Sequence, residues 1–446
     1  MLIEKAQMRK WLSGIILEKN VQGHDTKGLE EKLNKLPDSY DALMAFAEKL
    51  AKLPYRKDWK YVEPSDLAGV KKESCGDWSR PKTIPLNISR AGEKAKTAFL
   101  SSVCGCILGK PLECDPDYYE IKKALKKTGK FPLSDYVSET TLEALKRRHP
   151  NSQDTTKGNI SYVASDDDIN YTIIGMLVLE NHGLNFTRDQ LVNIWLTNLP
   201  VRFTFGPERA LLLKAGVASI FWQPFKNEWA AVLNLGEERC GAMIRADAYG
   251  YACPGLPGLA AELAWRDAYM THRKTGVYGT MYAAALISLA AVTKDRELIF
   301  REALKYVPEN SRFHEIVMDQ INLIAAVDDF EEAYSLIQKK YGSFTHCNIY
   351  METGTLFNTL KFAKDIGDGI CKQVMQGNDT DSYGCTAGSI LGAYFGPGHL
   401  DKKWLKPFNN EIHAALASFP EQNLTKVTER MGKLPGIVSA GLKKSK

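Results

Sequence analysis

Histidine and paired cysteine are scarce in this 446-residue chain, which has eight histidines and nine cysteines with no C-x-x-C spacing. Without Cys/His clusters the usual structural zinc sites are excluded. An odd cysteine count in a chain this long also argues against a disulfide framework. It reads as reduced, mostly core thiols in a cytoplasmic setting. Apolar runs of about eighteen residues are missing, which excludes a helical membrane span. The opening MLIEKAQMRKWLSGIILEK lacks a continuous apolar stretch and contains Glu4, so it reads as neither a secretory signal nor a transit peptide. Basic runs are missing as well, apart from Lys443-Lys444-Ser445-Lys446. With Lys+Arg at 58 against Asp+Glu at 53 there is no electrostatic footprint for nucleic acid.

Convincing period-two strands are scarce, and no fixed-period repeat occurs. Apolar residues recur instead at three- and four-residue steps, as at Leu43, Phe46, Leu50 and Leu53. The fold class expected is all-α, with enough apolar residues (44%) for a sizeable core. Residues 1–85 read as a helical extension followed by a linker rich in proline, tryptophan and charge, packing on a main domain over 86–446. Two later helices carry glycines four apart, Gly105 and Gly109, then Gly388, Gly392 and Gly396. That spacing puts small residues on one helix face and lets neighbouring backbones approach closely.

Carboxylates collect at three stations. GNDTDSYG holds Asp379 and Asp381, and the nearest basic residue in sequence is Lys372, seven positions before Asp379. Like charges at this range repel, so a divalent cation or open water has to relieve them. An EF-hand is excluded, because Ile390 stands where its loop requires a bidentate glutamate. VASDDDINYT places Asp166, Asp167 and Asp168 at a helix start, where one carboxylate suffices for a cap. Glu113 ends CGCILGKPLE after a tight Gly-Lys-Pro turn. Carboxylates and hydroxyls without a Cys/His cluster form a hard oxygen set, suited to Mg²⁺ or Mn²⁺.

In this order the stations resemble the ADP-ribosylglycohydrolase family. Gly105 to Glu113 is similar to its glycine-rich first helix, Ser165-Asp166-Asp167-Asp168 to its S/T-D-D-T motif, and Gly377-Asn378-Asp379-Thr380-Asp381-Ser382 to its late G-G-D-T-D motif. Arg245-Ala246-Asp247, Thr271-His272 and Gly276-Val277-Tyr278-Gly279 look like its middle segment. The resemblance implies an all-α bundle with two Mg²⁺ or Mn²⁺ ions in a central cleft. Metal ligands would be Ser165, Asp166 and Asp167 from one side and Asp379, Asp381 and Ser382 from the other. Glu113 would ligate or gate a metal and, with Asp167, act in catalysis. His272, Tyr278 and Gly279 would bind an ADP-ribose-containing substrate, and Tyr249, Tyr251 and Tyr278 could stack on an adenine. Arg245 and Asp247 would reach the cleft or pair with each other. Three positions depart from the pattern: Asp168 for threonine, Asn378 for the second glycine, and Cys106 for aspartate.

The expected activity is metal-dependent hydrolysis of a glycosidic bond in an ADP-ribose-type substrate, with no nucleic acid or membrane as partner. One alternative is an ADP-ribose-binding pseudoenzyme. A class I terpene synthase is the remote one: Asp166 to Asn170 fits its aspartate-rich motif, but Thr386 stands where its second motif needs glutamate.

Overall fold

Helix starts follow the capping chemistry carried by the chain. The computed structural model describes residues 4–219, 226–344 and 347–444. In it, Ser39 accepts from the Ala42 amide to open a helix at Tyr40, and Asp117 and Glu120 form a reciprocal capping box. The first elements are α1 (Lys5–Val21), α2 (Leu29–Asn34), α3 (Tyr40–Leu50) and α4 (Leu67–Glu73). Next come α5 (Ile88–Gly109), α6 (Tyr118–Lys127), α7 (Glu139–Leu145), α8 (Asp167–His182), α9 (Arg188–Asn198) and α10 (Gly206–Ser219). The middle holds α11 (Asp247–Ala252), α12 (Pro257–Ala268), α13 (Thr275–Ala290), α14 (Arg296–Leu304) and α15 (Arg312–Ala325). The chain closes with α16 (Phe330–Tyr341), α17 (Ile349–Phe362), α18 (Ile366–Met375), α19 (Thr380–Phe395) and α20 (Leu424–Lys444). Among the described residues β pairing is limited to isolated bridges, one of which joins Asp117 and Gly377. The fold is all-α. Asp329 caps the start of α16 by accepting from the Glu331 and Glu332 amides.

The central contact is between α5 and α19, and glycine permits it. A Cβ on Gly105 would come within 1.9 Å of the Gly384 carbonyl oxygen, and one on Gly109 within 2.1 Å of the Thr380 carbonyl oxygen. One on Gly388 would come within 2.2 Å of the Ser101 carbonyl oxygen. No side chain fits in those gaps. The pairings run in opposite directions along the two helices, so the end of α5 abuts the start of α19. Both helices are buried along nearly their whole length.

The N-terminal helices have an apolar cluster of their own. Leu12, Ile16, Leu33, Leu43, Phe46 and Leu50 gather there, with Val232, Leu233 and Leu235 packed against them. Polar ties fix the following linker to the bundle. Glu63 receives two hydrogen bonds from the Arg312 side chain at 2.9 and 3.1 Å, and Arg312 also reaches Glu238 at 2.6 Å. Trp265 Nε1 donates to the Ser65 carbonyl at 2.8 Å, and Glu262 pairs with both Lys71 and Arg80. The Glu63–Arg312 pair is the desolvated one and is costly to break singly, because the surviving charge stays buried.

Two stability outcomes are expected. Gly105→Ala should lose about 2–3 kcal/mol in urea unfolding, since backbone has to move to admit the methyl group. Glu63→Ala should lose about 2–4 kcal/mol, with Glu238 left as the main partner of Arg312. A change below about 0.5 kcal/mol in either would show that the contact carries no stability.

Candidate active site

Local backbone geometry brings the acidic stations together. After α5, Lys110-Pro111-Leu112 makes a single 3₁₀ turn that delivers Glu113. Before α19, Gly377 has φ +80° and Asn378 φ +63°. A Cβ on Gly377 would lie 2.0 Å from the Pro116 carbonyl oxygen, so glycine is required there. Asparagine tolerates the left-handed region, so Asn378 serves where a second glycine was expected. Asp379 then stands at the N-cap of α19 with Asp381 in its first turn. Asp166 caps α8, its Oδ1 accepting from the Asp168 amide at 3.1 Å.

A lysine joins the three stations. Lys110 Nζ lies 2.8 Å from Glu113 Oε2, 2.8 Å from Asp166 Oδ2 and 2.8 Å from Asp381 Oδ2. Side-chain exposure is 12% for Lys110 and 2% for both Asp166 and Asp381. The positive charge near Asp381 therefore comes from a residue 271 positions away. This corrects the expectation that only a metal or water could relieve the GNDTDSYG carboxylates. Burial opposes the Lys110 charge, but Asp166, Asp381 and Glu113 outweigh it and hold the ammonium well above its ordinary pKa. Burial likewise acts to raise Asp381, and Lys110 overrides it to keep that group ionised. Burial, then neighbouring carboxylates, push Glu113, Asp167 and Asp168 upward.

Over this cluster opens a cleft of about 780 Å³, lined by Lys110, Glu113, Asp167, Asp379 and Ser382, with His272 and Glu208 on one wall. Gly14, Leu17 and Glu18 of α1 line it too. Glu18 accepts from the Gly236 amide at 2.9 Å, and Lys19 pairs with Glu237 at 2.5 Å. Donor oxygens of Glu113, Asp379 and Asp381 all lie within 4.8 Å of one another, a hard set for a divalent ion. Cys240 donates to Asp379 Oδ2 at 3.1 Å.

His272 is fully buried, with Nδ1 2.8 Å from Thr271 Oγ1 and no hydrogen-bond partner on Nε2. Burial first, then the Arg245 and Arg273 charges, hold it well below its usual pKa, so the ring is neutral. Arg245 organises this wall. It pairs with Glu208 at 2.9 Å and Asp267 at 2.6 Å, and donates to Thr271 Oγ1 at 2.7 Å.

Several expected site residues fall elsewhere. Ser165 lies outside the cleft lining, and its hydroxyl accepts from Asn170 Nδ2 at 3.3 Å. Asp166 is below the cleft surface, behind Lys110. Tyr278 is fully buried and donates to the Pro64 carbonyl at 2.5 Å, tying the linker down instead of facing the cleft. Gly279 meets Ile349 and Met243, where a Cβ would be 3.0 Å from Ile349 Cδ1, so it serves helix packing. Tyr249 and Tyr251 bond Asp267 and Ser389 in the core and offer no adenine platform. Asp247 accepts from Ser389 at 2.9 Å and does not pair with Arg245. Asp168 accepts from Ser382 at 3.3 Å, linking α8 to α19.

Lys110, Glu208, Cys240 and His149, which lies 3.5 Å from Glu113, were not foreseen as site residues. For Lys110 the signal was its place three residues before Glu113; Glu208 has none in its PERALLL setting.

Among solved structures, one titled "ADP-ribosylglycohydrolase-related protein complex" shares the fold. Its TM-score is 0.50 at 16% identity, covering 78% of this chain and 99% of that one. None of the curated proteins matches significantly. The family model for ADP-ribosylglycohydrolase matches residues 87–433, a span that holds all three acidic stations and His272. The chain belongs to the ADP-ribosylglycohydrolase family.

Proposed function

We propose that this protein hydrolyses a glycosidic bond in an ADP-ribose-type substrate bound in the cleft over Lys110. The observation that carries the reading is convergence: Glu113, Asp167, Asp379 and Ser382, drawn from three distant segments, line one cavity beside a neutral histidine. The cavity is within the size range of small-molecule sites.

A full complement of two ions, as the resemblance implies, does not fit these residues, because Lys110 stands among Glu113, Asp166 and Asp381. One ion does fit, held by Glu113, Asp379 and Asp381. When bound, it would supply positive charge toward ribose hydroxyls and water. The chain's own groups do the rest. His272 Nε2, buried without a protein partner, bonds a substrate hydroxyl or phosphate oxygen. Glu113 is engaged by Lys110, which leaves Asp167 to take the proton from attacking water. The bond from the anomeric carbon to the departing group breaks through an oxocarbenium-like state that cleft carboxylates stabilise, water oxygen bonds that carbon, and the proton Asp167 takes from water goes to the departing group. Residues 1–85 act as a fixed outer layer, with α1 forming part of the cleft wall; their buried ties to Arg312, Glu262 and Trp265 support that reading.

A second reading, binding without turnover, is favoured by one observation: Lys110 ties up Glu113 and Asp381 at 2.8 Å.

Release of ADP-ribose should be followed with ADP-ribosylated arginine, ADP-ribosylated serine and free conjugates, with and without Mg²⁺. Turnover of at least one class, reduced about 100-fold or more by Asp167→Asn, is expected. Calorimetric binding of ADP-ribose with no turnover of any class would favour the second reading. His272→Ala should weaken ADP-ribose binding about tenfold while the melting temperature stays within a few degrees. Unchanged affinity would remove His272 from the site.

A further inference from the structure

Spacing along the chain gives no zinc motif, but the tertiary structure brings two cysteines together at the cleft wall. Cys240 opens the short helical turn Cys240–Arg245, and Cys347 stands just before α17. The Cys240 amide donates to the Cys347 carbonyl at 3.1 Å, which sets the two backbones side by side. Both residues line the cleft, as does Asp379. The two Sγ atoms and an Asp379 carboxylate oxygen lie within 4.8 Å of one another, and Cys240 Sγ is 3.1 Å from Asp379 Oδ2. A tetrahedral zinc ion with Zn–S bonds of about 2.3 Å needs donors about 3.5–4 Å apart, a span this set reaches with small side-chain shifts.

A fourth donor faces them from behind. Glu352, in the first turn of α17, is 2% exposed, and the charges acting on it include Asp379 and Cys347. Tyr383 and the Asp379 backbone lie near it, yet neither Glu352 oxygen has a partner at hydrogen-bond geometry. A buried carboxylate without a partner is costly as an anion, and a bound cation removes that cost. The hydrolysis proposed for the cleft uses neither Glu352 nor the two thiols.

We propose that Cys240, Cys347, Asp379 and Glu352 form a binding site for a thiophilic divalent cation, zinc by its donor set, in the wall of the cleft. Two thiolates and two carboxylates make a closed four-donor set, unlike the all-oxygen set of Glu113, Asp379 and Asp381. Asp379 belongs to both, and its two oxygens allow it to serve an ion on either side. As the metal binds, two sulfur–metal bonds form and the two thiol protons pass to solvent. The ion clamps the Cys240 turn and the start of α17 to the start of α19. The site does not depend on the hydrolytic reading of the cleft.

Co²⁺ is the probe, added to the metal-stripped full chain under a non-thiol reductant that keeps both cysteines reduced. Binding should give thiolate-to-cobalt charge-transfer absorption in the near ultraviolet and the strong visible bands of tetrahedral cobalt. Zn²⁺ should bleach these bands, and about a hundredfold excess of Mg²⁺ should not. Loss of the bands to Mg²⁺ would put the ion in the all-oxygen set and overturn the proposal. Cys240→Ser and Cys347→Ser should each weaken Co²⁺ binding about 100-fold or more, and Glu352→Gln about tenfold. Unchanged affinity in any of the three would remove that donor and overturn the four-donor site. The Mg²⁺ competition uses the unaltered chain, so it decides even where a variant does not fold. Absence of the bands from the unaltered chain overturns the proposal and leaves the hydrolytic reading intact. Presence of the bands with no hydrolysis of any substrate class overturns that reading and supports the metal site.

Discussion

Everything in the cleft depends on how closely two helix backbones approach. Gly105 and Gly109 of α5 face Gly384 and Thr380 of α19 at distances where even a methyl group would collide with a carbonyl oxygen. Because the helices are antiparallel, this contact fixes the end of one against the start of the other. Lys110 and Glu113, on the short turn after α5, thus arrive beside Asp379 and Asp381 at the start of α19. A larger residue in that row would separate the helices and pull the charged groups out of hydrogen-bond range, so packing and electrostatics share one constraint.

Charge balance is the second organising term. Six carboxylates (Glu113, Asp166, Asp167, Asp168, Asp379 and Asp381) gather around one ammonium. Isolated buried charges are far more costly than paired ones, and burial first, then the neighbouring carboxylates, raises Glu113, Asp167 and Asp168. The neighbouring wall solves the same problem differently. Arg245 is matched by Glu208 and Asp267, and that network leaves His272 neutral with one ring nitrogen uncommitted.

The N-terminal helices add to this in an unexpected way. Their apolar faces pack mainly on each other, and among the described residues Val232, Leu233 and Leu235 join from the rest of the chain. The following linker is fastened by polar ties, Glu63 with Arg312, Ser65 with Trp265 and Pro64 with Tyr278, and by Val70 and Ile84 buried in the main core. Tyr278 shows how a residue in a family-like segment can serve the linker instead of the ligand.

The all-helical class, the capped helix starts, the glycine rows and the three acidic stations are legible along the chain. Each is a local property: periodicity, a side chain bonding its own amides, or small residues four apart on one face. Motif order was enough to place the chain among its relatives, and to single out Glu113, Asp167, Asp379 and His272. Partnerships across long separations were decided only by the tertiary structure. Nothing within reach of Asp381 in sequence announces a lysine 271 residues away, and nothing in Ser165 or Tyr278 says that their hydroxyls turn to Asn170 and Pro64. Spacing fixes which face of a helix a residue occupies. Which charge meets that face depends on how the helices pack, and here on the glycines that let α5 and α19 touch.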